Sequence, residues 1–418
     1  MVPSSRLSDD ATPVRHIDLC YDSQDSEQSA LRLVHTLLPE WKESEGSIEF
    51  VKFTDGITNT LLKAIKRRPG YTDSQLDQEA VLLRAYGKDT DILIDRERES
   101  RAHSLLASRN LAPPLLARFD NGLLYKYIEG DVCSPEDLRR PEVYRAVAKR
   151  MGQWHSTLPI SAISSAPSEK HASNGNGRNG DAGSKDTETA RPVPNIWTVM
   201  QGWINALPTG TEAEKKQKQG LDEELAYITS KLANTPGMDG NDYVFSHCDL
   251  LSGNVIIEPS PESTLADGDA KHQPSTTVGF IDYEYATPGH AAFDIANHFA
   301  EWAGFECDHG AVPSRSQRLE FVRHYIESYR SHAKTDLDPS PEEVVTLMHQ
   351  IDLFRGVPGF YWGIWALIQA TISSIDFDYK AYAPLRLGEY WGAKAEMDGS
   401  RKASGAEMTK REKRWAEE

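Results

Sequence analysis

The most constraining feature of the sequence is residues 247–254 (HCDLLSGN), which contain His247, Asp249 and Asn254 in the spacing H-x-D-x-x-x-x-N. In phosphoryl-transfer enzymes with this spacing, the aspartate accepts the proton of the attacking hydroxyl and the asparagine binds magnesium. One short loop can thus place a base and a metal ligand on either side of the transferred group. Taken alone, the same run also fits an ordinary turn at residues 252–254.

A second motif supports the catalytic interpretation. Residues 278–282 (VGFID) form an apolar run that ends in Asp282, where a second metal ligand is expected. Asn254 and Asp282 are 28 positions apart, and the polar segment 259–276 takes 18 of these, which leaves 10. Ten residues suit a hairpin of two short strands. We therefore predict that Asn254 and Asp282 lie together and bind Mg²⁺.

The pattern upstream predicts a small sheet. Alternating apolar residues and turn signals predict strands at 48–53, 60–66, 80–86, 115–119 and 123–127, with a helix at 95–108. After residue 129 the pattern becomes mainly helical. Together with the motifs, this order predicts an α+β, bilobal protein-kinase-like fold, with a small antiparallel-sheet N-lobe that contains one helix and a larger, mainly helical C-lobe.

We divide the chain into an N-terminal extension (1–27), a nucleotide-binding N-lobe (28–128), a catalytic and substrate-binding C-lobe (129–397) and a charged tail (398–418). Two polar segments, near 161–192 and 259–276, are predicted to be disordered inserts. The tail is expected to be frayed apart from one short helix. The apolar stretch 360–375 is too short to span a bilayer and is predicted to be a buried helix.

Composition excludes some classes of function. The formal net charge of −17 argues against a nucleic-acid partner, because phosphate backbones select basic surfaces. Four cysteines lie far apart without a CxxC pair, which favours a reducing, cytoplasmic location. Residues 1–18 have no apolar core for a secretory signal, and we expect no membrane insertion.

Candidate nucleotide contacts lie in the predicted N-lobe. Arg84 on the third strand and Glu99 on the following helix could form the ion pair that positions ATP phosphates, although protein kinases use lysine there. Backbone N–H groups of the turn 54–59, with the side chains of Thr58 and Asn59, could also contact phosphates. The alternatives are a surface arginine, an ordinary acid and an ordinary hairpin.

Two absences argue against a protein substrate. Cys248 replaces the arginine that in many protein kinases binds a phosphorylated activation loop, and Tyr283-Glu284 follows Asp282 in place of Phe-Gly. A small acceptor is therefore favoured.

Residues 291–305 predict a helix with one polar stripe. Its members are Asp294, Asn297, His298 and Glu301. Such a stripe is either a solvated face or the wall of a wet pocket. Aromatic residues that follow, at 362, 365, 377, 379 and 382, are usually core, but rings combined with carboxylates also make a site for an amine cation.

The sequence resembles the choline/ethanolamine kinase family, and within it the ethanolamine kinases. The matching stretches are 53–61 (FTDGITNTL), 81–87 (VLLRAYG), 246–256 (SHCDLLSGNVI), 280–285 (FIDYEY), 293–304 (FDIANHFAEWAG) and 362–377 (WGIWALIQATISSIDF). The family usually has asparagine at the position of Cys248, and a more aromatic stretch at residues 287–290.

The resemblance implies phosphorylation of ethanolamine by ATP with Mg²⁺, at the start of CDP-ethanolamine phospholipid synthesis. It implies Asp249 as the base, Asn254 and Asp282 as magnesium ligands, and Arg84 with Glu99 at the nucleotide. The implied substrate contacts are Glu284, Asp294, Glu301, Trp362, Trp365, Phe377 and Tyr382. A choline kinase, a dual enzyme, an inactive scaffold or an aminoglycoside-type phosphotransferase are the alternatives, and a homodimer is left open.

Overall fold

The computed structural model describes residues 14–53, 59–87, 92–164, 191–259, 276–335, 338–373 and 375–418. Residues 54–58 of the predicted phosphate turn at 54–59, which include Thr58, lie outside the described residues. So do the two predicted disordered inserts, apart from their ends.

Six described strands form the predicted small sheet, in the order β1-β5-β6-β4-β3-β2. They are β1 (His16–Ile17), β2 (Ser47–Phe53), β3 (Thr60–Arg67), β4 (Val81–Ala85), β5 (Leu115–Phe119) and β6 (Gly122–Lys126). All neighbouring pairs are antiparallel except β1 with β5, which run parallel. The strand predictions are confirmed, and β1 extends the sheet into the segment assigned to an N-terminal extension.

Helices cover the small sheet more fully than predicted. They are α1 (Ser26–Leu37), α2 (Glu40–Glu43), α3 (Asp73–Glu79) and α4 (Arg96–Ser108). Leu33 and Val34 of α1 and Trp41 of α2 are buried in one cluster with the apolar face of the sheet. Helix α4 begins after Asp95, whose carboxylate accepts from the backbone N–H groups of residues 97 and 98, as an N-cap should. The predicted single helix is therefore one of four in the described part of this lobe.

Short strands frame the predicted catalytic loop. They are β7 (Asp131–Val132), β8 (Val244–Ser246), β9 (Val255–Ile257), β10 (Val278–Phe280) and β11 (Thr287–Gly289). Strands β9 and β10 form the predicted antiparallel hairpin, with β7 along its other edge, while β8 pairs with β11.

The remainder is helical, as predicted. The helices are α5 (Pro141–Thr157), α6 (Ile196–Ala206), α7 (Glu212–Leu232), α8 (Ala291–Glu301), α9 (Arg315–Ala333), α10 (Pro341–Phe354), α11 (Val357–Ile372) and α12 (Tyr379–Met397). Most residues of α11 are buried in one large core shared with α6 and α8, which confirms the predicted buried helix. In the part of the chain that the structure describes, no helix has the length and apolarity needed to cross a membrane.

The charged tail is packed against the body of the protein, which corrects the expectation that it is frayed. It forms α13 (Ser400–Ser404) and α14 (Lys410–Trp415). Trp415 is buried, and its indole nitrogen donates to Asp352 at 2.8 Å. The guanidinium of Arg318 lies 3.9 Å above the Trp415 ring, and Glu412 forms an ion pair with Arg355 at 2.8 Å. Charged residues in this tail therefore have specific buried partners.

Candidate active site

The loop between β8 and β9 carries Asp249, the predicted base, and Asn254, a predicted metal ligand. Nδ2 of Asn254 donates to the backbone oxygen of Asp249 at 2.8 Å and to its Oδ2 at 3.1 Å. Asp249 is buried, and burial, together with neighbouring carboxylates such as Asp282, raises its pKa well above the ordinary value. A raised pKa makes the carboxylate a stronger proton acceptor.

Asp294 on α8 fixes the backbone of this loop. Its carboxylate accepts from the backbone N–H groups of His247 at 2.9 Å and Cys248 at 2.8 Å, and lies 3.0 Å from Nε2 of His155. Burial raises the pKa of Asp294, but the hydrogen bond and electrostatic interaction with His155 outweigh it, and the pKa lies below the ordinary value. Asp294 therefore stays charged and holds the loop.

Asn297 and His298, two further members of the polar stripe on α8, also hold the backbone of this loop. Nδ2 of Asn297 donates to the backbone oxygen of Cys248, and a ring nitrogen of His298 lies 2.8 Å from the backbone oxygen of Leu250. These side chains are fully buried, so the stripe is not a solvated face. Of its members, only Glu301 lines the cavity. The hydrogen bonds between the stripe and the loop were not predicted, because the sequence does not show which backbone groups lie opposite the stripe.

The hairpin of β9 and β10 brings Asp282 next to Asn254. Phe280 pairs with Val255, and the backbone N–H of Ile281 donates to the oxygen of Asn254 at 3.0 Å. The two predicted metal ligands thus lie at the same end of one hairpin, as their corrected spacing predicts.

A buried arginine joins this hairpin to the small sheet. Arg84 on β4 forms the predicted ion pair with Glu99 on α4, at 2.9 Å, and also contacts Asp282 at 2.7 Å and Glu284. Burial lowers the pKa of Arg84, but the charges of these carboxylates outweigh burial and raise it well above the ordinary value. Arg84 is therefore a permanent cation beside the predicted metal ligands.

A second arginine, Arg96, lies in the same cluster and was missed by the sequence analysis. It contacts Glu99 at 3.1 Å and Glu284 at 3.2 Å, and its guanidinium stacks on Tyr86 at 3.9 Å. Its position three residues before Glu99 on one helix was the available signal. Nδ2 of Asn59 also donates to Glu284, so Glu284 lies within the arginine cluster.

One cavity connects the catalytic loop and the hairpin to the aromatic residues. Its apolar end is lined by residues of β3, β4, β6 and β9, namely Leu61, Leu82, Tyr125 and Ile256. Its middle is lined by Asp249, Asn254, Asp282 and Glu284, and its far end by Tyr285, Glu301, Phe305, Trp362, Trp365 and Tyr382. Among the described lining residues, two of the predicted substrate contacts, Asp294 and Phe377, are absent. Phe377 packs behind Tyr382, with ring centroids 5.3 Å apart.

The rings at the far end are held in fixed orientations. The indole nitrogen of Trp362 donates to Asn297 at 2.9 Å, and that of Trp365 donates to the hydroxyl of Tyr285 at 2.8 Å. The planes of the two indoles are nearly perpendicular, with centroids 5.5 Å apart. Rings set in this way form adjacent walls, which suits a compact cation.

Glu301 is the carboxylate at this end, and it already has a partner. Arg386 on α12 donates to it at 2.9 Å and is itself fully buried. Burial raises the pKa of Glu301 above its ordinary value, although Arg386 opposes this. Nothing in the sequence around Arg386 indicated this contact, because it depends on how α12 packs against α8.

The donor atoms around Asn254 and Asp282 fit a magnesium ion. Because Nδ2 of Asn254 donates to Asp249, its Oδ1 is the amide atom available to a metal. Oδ1 of Asp282 has an ion pair with Arg84 but no hydrogen bond within the described residues. Amide and carboxylate oxygens are the ligands that Mg²⁺ prefers.

Comparison with known sequences gives a consistent result. A sequence model described as choline/ethanolamine kinase matches residues 50–391. Ethanolamine kinase 2 of Homo sapiens is 33% identical over 405 residues, which cover 96% of this chain and 88% of that protein. Ethanolamine kinase 1 of Mus musculus is 31% identical over 397 residues, covering 92% and 94%.

Comparison with solved structures agrees. An ethanolamine kinase of Plasmodium vivax matches with a TM-score of 0.63 and 25% identity, over 87% of this chain and 88% of that one. A choline kinase of Cryptosporidium parvum matches with a TM-score of 0.59 at 21% identity, over 89% and 96%, and supports the fold alone.

Proposed function

The chain belongs to the choline/ethanolamine kinase family, and from this premise we propose that it transfers the γ-phosphoryl group of ATP to the hydroxyl of ethanolamine. The bond between the γ-phosphorus and the β,γ-bridging oxygen breaks, and a bond from the ethanolamine oxygen to phosphorus forms. The products are phosphoethanolamine and ADP, and the reaction begins the CDP-ethanolamine route to phospholipid.

The observation that carries this proposal is that Asp249 and Glu301 line one cavity, with aromatic rings at its far end. Asp249 would accept the hydroxyl proton, since it is buried, basic and oriented by Asn254. Glu301 and the rings of Trp362, Trp365 and Tyr382 would hold the ammonium group. Phe377 would support this wall from behind Tyr382.

The nucleotide would lie against the small sheet. Leu61, Leu82 and Ile256 offer an apolar surface for the adenine. Arg84, positioned by Glu99, is not a lining residue itself but contacts Asp282 and Glu284 of the cavity wall, and would supply positive charge near the phosphates. Asn59 and Glu284 support this arginine cluster, and Thr58 remains a predicted phosphate contact.

Asn254 and Asp282 would hold the magnesium ion, which would supply positive charge to the phosphate oxygens as the phosphoryl group transfers. Arg84, 2.7 Å from Asp282, would keep the Asp282 carboxylate oriented.

The far end of the cavity supports ethanolamine but also accommodates choline as an alternative. A primary ammonium donates three hydrogen bonds and benefits from carboxylate acceptors, whereas a quaternary ammonium needs aromatic faces. The cavity supplies both a carboxylate, from Glu301, and aromatic faces. The relatives named as ethanolamine kinases favour ethanolamine.

We further propose a cytoplasmic enzyme, because all four cysteines are free thiols. A homodimer stays an open prediction.

Incubation with ATP, Mg²⁺ and ethanolamine, followed by ³¹P NMR, tests the proposal. We expect a phosphomonoester that matches authentic phosphoethanolamine and that the Asp249→Ala variant does not form. ATP consumption that releases only inorganic phosphate would contradict it.

A further inference from the structure

Beside the cavity, three side chains form a cluster that the proposed reaction does not use. One ligand atom each of Cys307, His309 and Glu389 lies within 4.8 Å of the other two. Nε2 of His309 is 2.8 Å from Oε1 of Glu389. A thiol, an imidazole and a carboxylate gathered in this way match the donor types of zinc sites with three protein ligands and one open position.

Two separate parts of the fold build the cluster. Cys307 and His309 lie on the segment that follows α8, while Glu389 projects from α12. The Glu389 side chain is only 2% exposed, and its Oε2 makes no hydrogen bond within the described residues, although Nε of Arg386 is 3.3 Å away. His309 is partly exposed, at 23% of its side chain. Of this pair, His309 is therefore the side of the cluster that faces solvent.

The ligand set itself supplies negative charge to a bound cation. Glu389 contributes a carboxylate, which shares the guanidinium of Arg386 with Glu301 and lies within electrostatic range of Arg411. Cys307 is partly buried, and its free thiol would bind a metal as the thiolate. Metal binding would displace its proton and add a second negative charge.

From this geometry we propose that Cys307, His309 and Glu389 bind a thiophilic divalent cation such as Zn²⁺. Zinc bonds of about 2.3 Å to sulfur and about 2.0 Å to nitrogen, at tetrahedral angles, hold the ligand atoms about 3.5 Å apart. Nε2 of His309 and Oε1 of Glu389, now 2.8 Å apart, would therefore separate slightly to admit the ion. Magnesium does not suit this set, because it prefers oxygen ligands alone.

The cluster is joined to the substrate end of the cavity through Arg386. Arg386 now divides its charge between Glu389 and Glu301. When Glu389 turns to a metal, Arg386 pairs more fully with Glu301, and the ion adds positive charge nearby. Both effects oppose binding of an ammonium group at Glu301. Bound zinc therefore raises the KM for the amino-alcohol and leaves the KM for ATP unchanged, a consequence that rests on the proposed function.

Binding is tested without reference to catalysis. Protein stripped with EDTA is dialysed against ZnCl₂, and bound zinc is counted per chain. Cadmium in place of zinc then reports a metal–thiolate bond through its ultraviolet charge-transfer band. We expect about one equivalent for the wild type, and affinity at least about tenfold lower for Cys307→Ser and for His309→Gln.

Cys20→Ser is the matched control. Cys20 is an exposed thiol near a second, fully exposed cluster of His16, Asp18 and Asp120. We expect this variant to bind zinc and cadmium as the wild type does. A wild type that binds no more zinc than Cys307→Ser, or a cadmium band that is lost with Cys20→Ser and kept with Cys307→Ser, would overturn the site.

The coupling is tested by kinetics at saturating Mg-ATP with and without micromolar zinc. We expect the KM for ethanolamine to rise at least about threefold in the wild type and to stay constant in Cys307→Ser, whose basal activity should match the wild type. An equal zinc effect in both proteins would overturn the coupling, since it would reflect zinc bound to ATP. A wild type inactive on amino-alcohols would overturn the proposed function and leave the dialysis result standing.

Discussion

The carboxylate of Asp294 accepts a hydrogen bond of 2.8 Å from the backbone N–H of Cys248, the residue directly before Asp249. Cys248 has a φ of 64°, in the left-handed region that residues with a side chain rarely adopt. The hydrogen bond helps to offset this local strain, so that Asp249 is held in place by a residue on a different element. Catalysis in this fold should therefore depend on α8 as well as on the loop.

Asp294→Asn should lower kcat with little change in either KM. An amide at this position turns an N–H group towards backbone N–H donors, and the lost hydrogen bonds should cost about 1–3 kcal/mol of unfolding free energy. Steady-state kinetics and urea denaturation measure the two effects. Asp239→Asn, at an exposed position with φ of 52°, is the control and should change neither. A kcat equal to the wild type would refute the positioning role.

Removal of the base or of the metal-binding carboxylate should lower kcat by orders of magnitude while the protein stays folded. We expect Asp249→Ala to lose about 10²–10⁴-fold in kcat, the usual contribution of a general base. Asp282→Ala should lose a similar factor, because it removes a predicted metal ligand. Circular dichroism and thermal unfolding check the fold. Activity of either variant within tenfold of the wild type would contradict the assignment of these residues.

Glu99→Gln should raise the KM for ATP. A hydrogen bond to a charged group contributes about 1.5–3 kcal/mol, equivalent to about 10–100-fold in binding, and its loss leaves Arg84 less well oriented. Glu97→Gln, on the exposed face of the same helix, is the matched control. If both substitutions change the KM for ATP equally, the ion pair of Arg84 and Glu99 has no special role.

The sequence allowed much of this arrangement to be predicted, because the signals are local. The alternation of apolar and polar residues predicted the strands of the small sheet. The spacing between Asn254 and Asp282, after subtraction of the insert, predicted the hairpin that joins them. The pairing of Arg84 with Glu99 followed from their places on consecutive elements.

Contacts between distant elements could not be predicted. Asp294 and Asn297 look like a solvent-facing stripe unless the loop opposite is known. Arg411 and Glu412 look like solvated charges, yet both are buried in the docked tail. Arg386 likewise meets Glu301 only because α12 packs against α8. In each case a polar side chain is buried because a specific partner compensates its desolvation.

Trp415→Ala should destabilise the protein, because the tail is part of the core. Loss of a buried tryptophan costs about 3–5 kcal/mol, and this change also removes the contacts with Arg318 and Asp352. Trp391→Ala is the control, since that ring is 44% exposed and should cost far less. Urea denaturation compares the two. Equal stability of both variants would indicate that the tail is loosely attached.

We propose that this kinase phosphorylates ethanolamine at Asp249, in the middle of the cavity. The most direct test of this proposal is an ADP-release assay that compares kcat/KM for ethanolamine, its mono- and dimethylated derivatives and choline. We predict the highest kcat/KM for ethanolamine. The value should fall with each methyl group, because each one replaces an N–H group that could donate a hydrogen bond to Glu301. A higher kcat/KM for choline than for ethanolamine would contradict the substrate assignment, and ADP release that no amino-alcohol stimulates would contradict the proposed function as a whole.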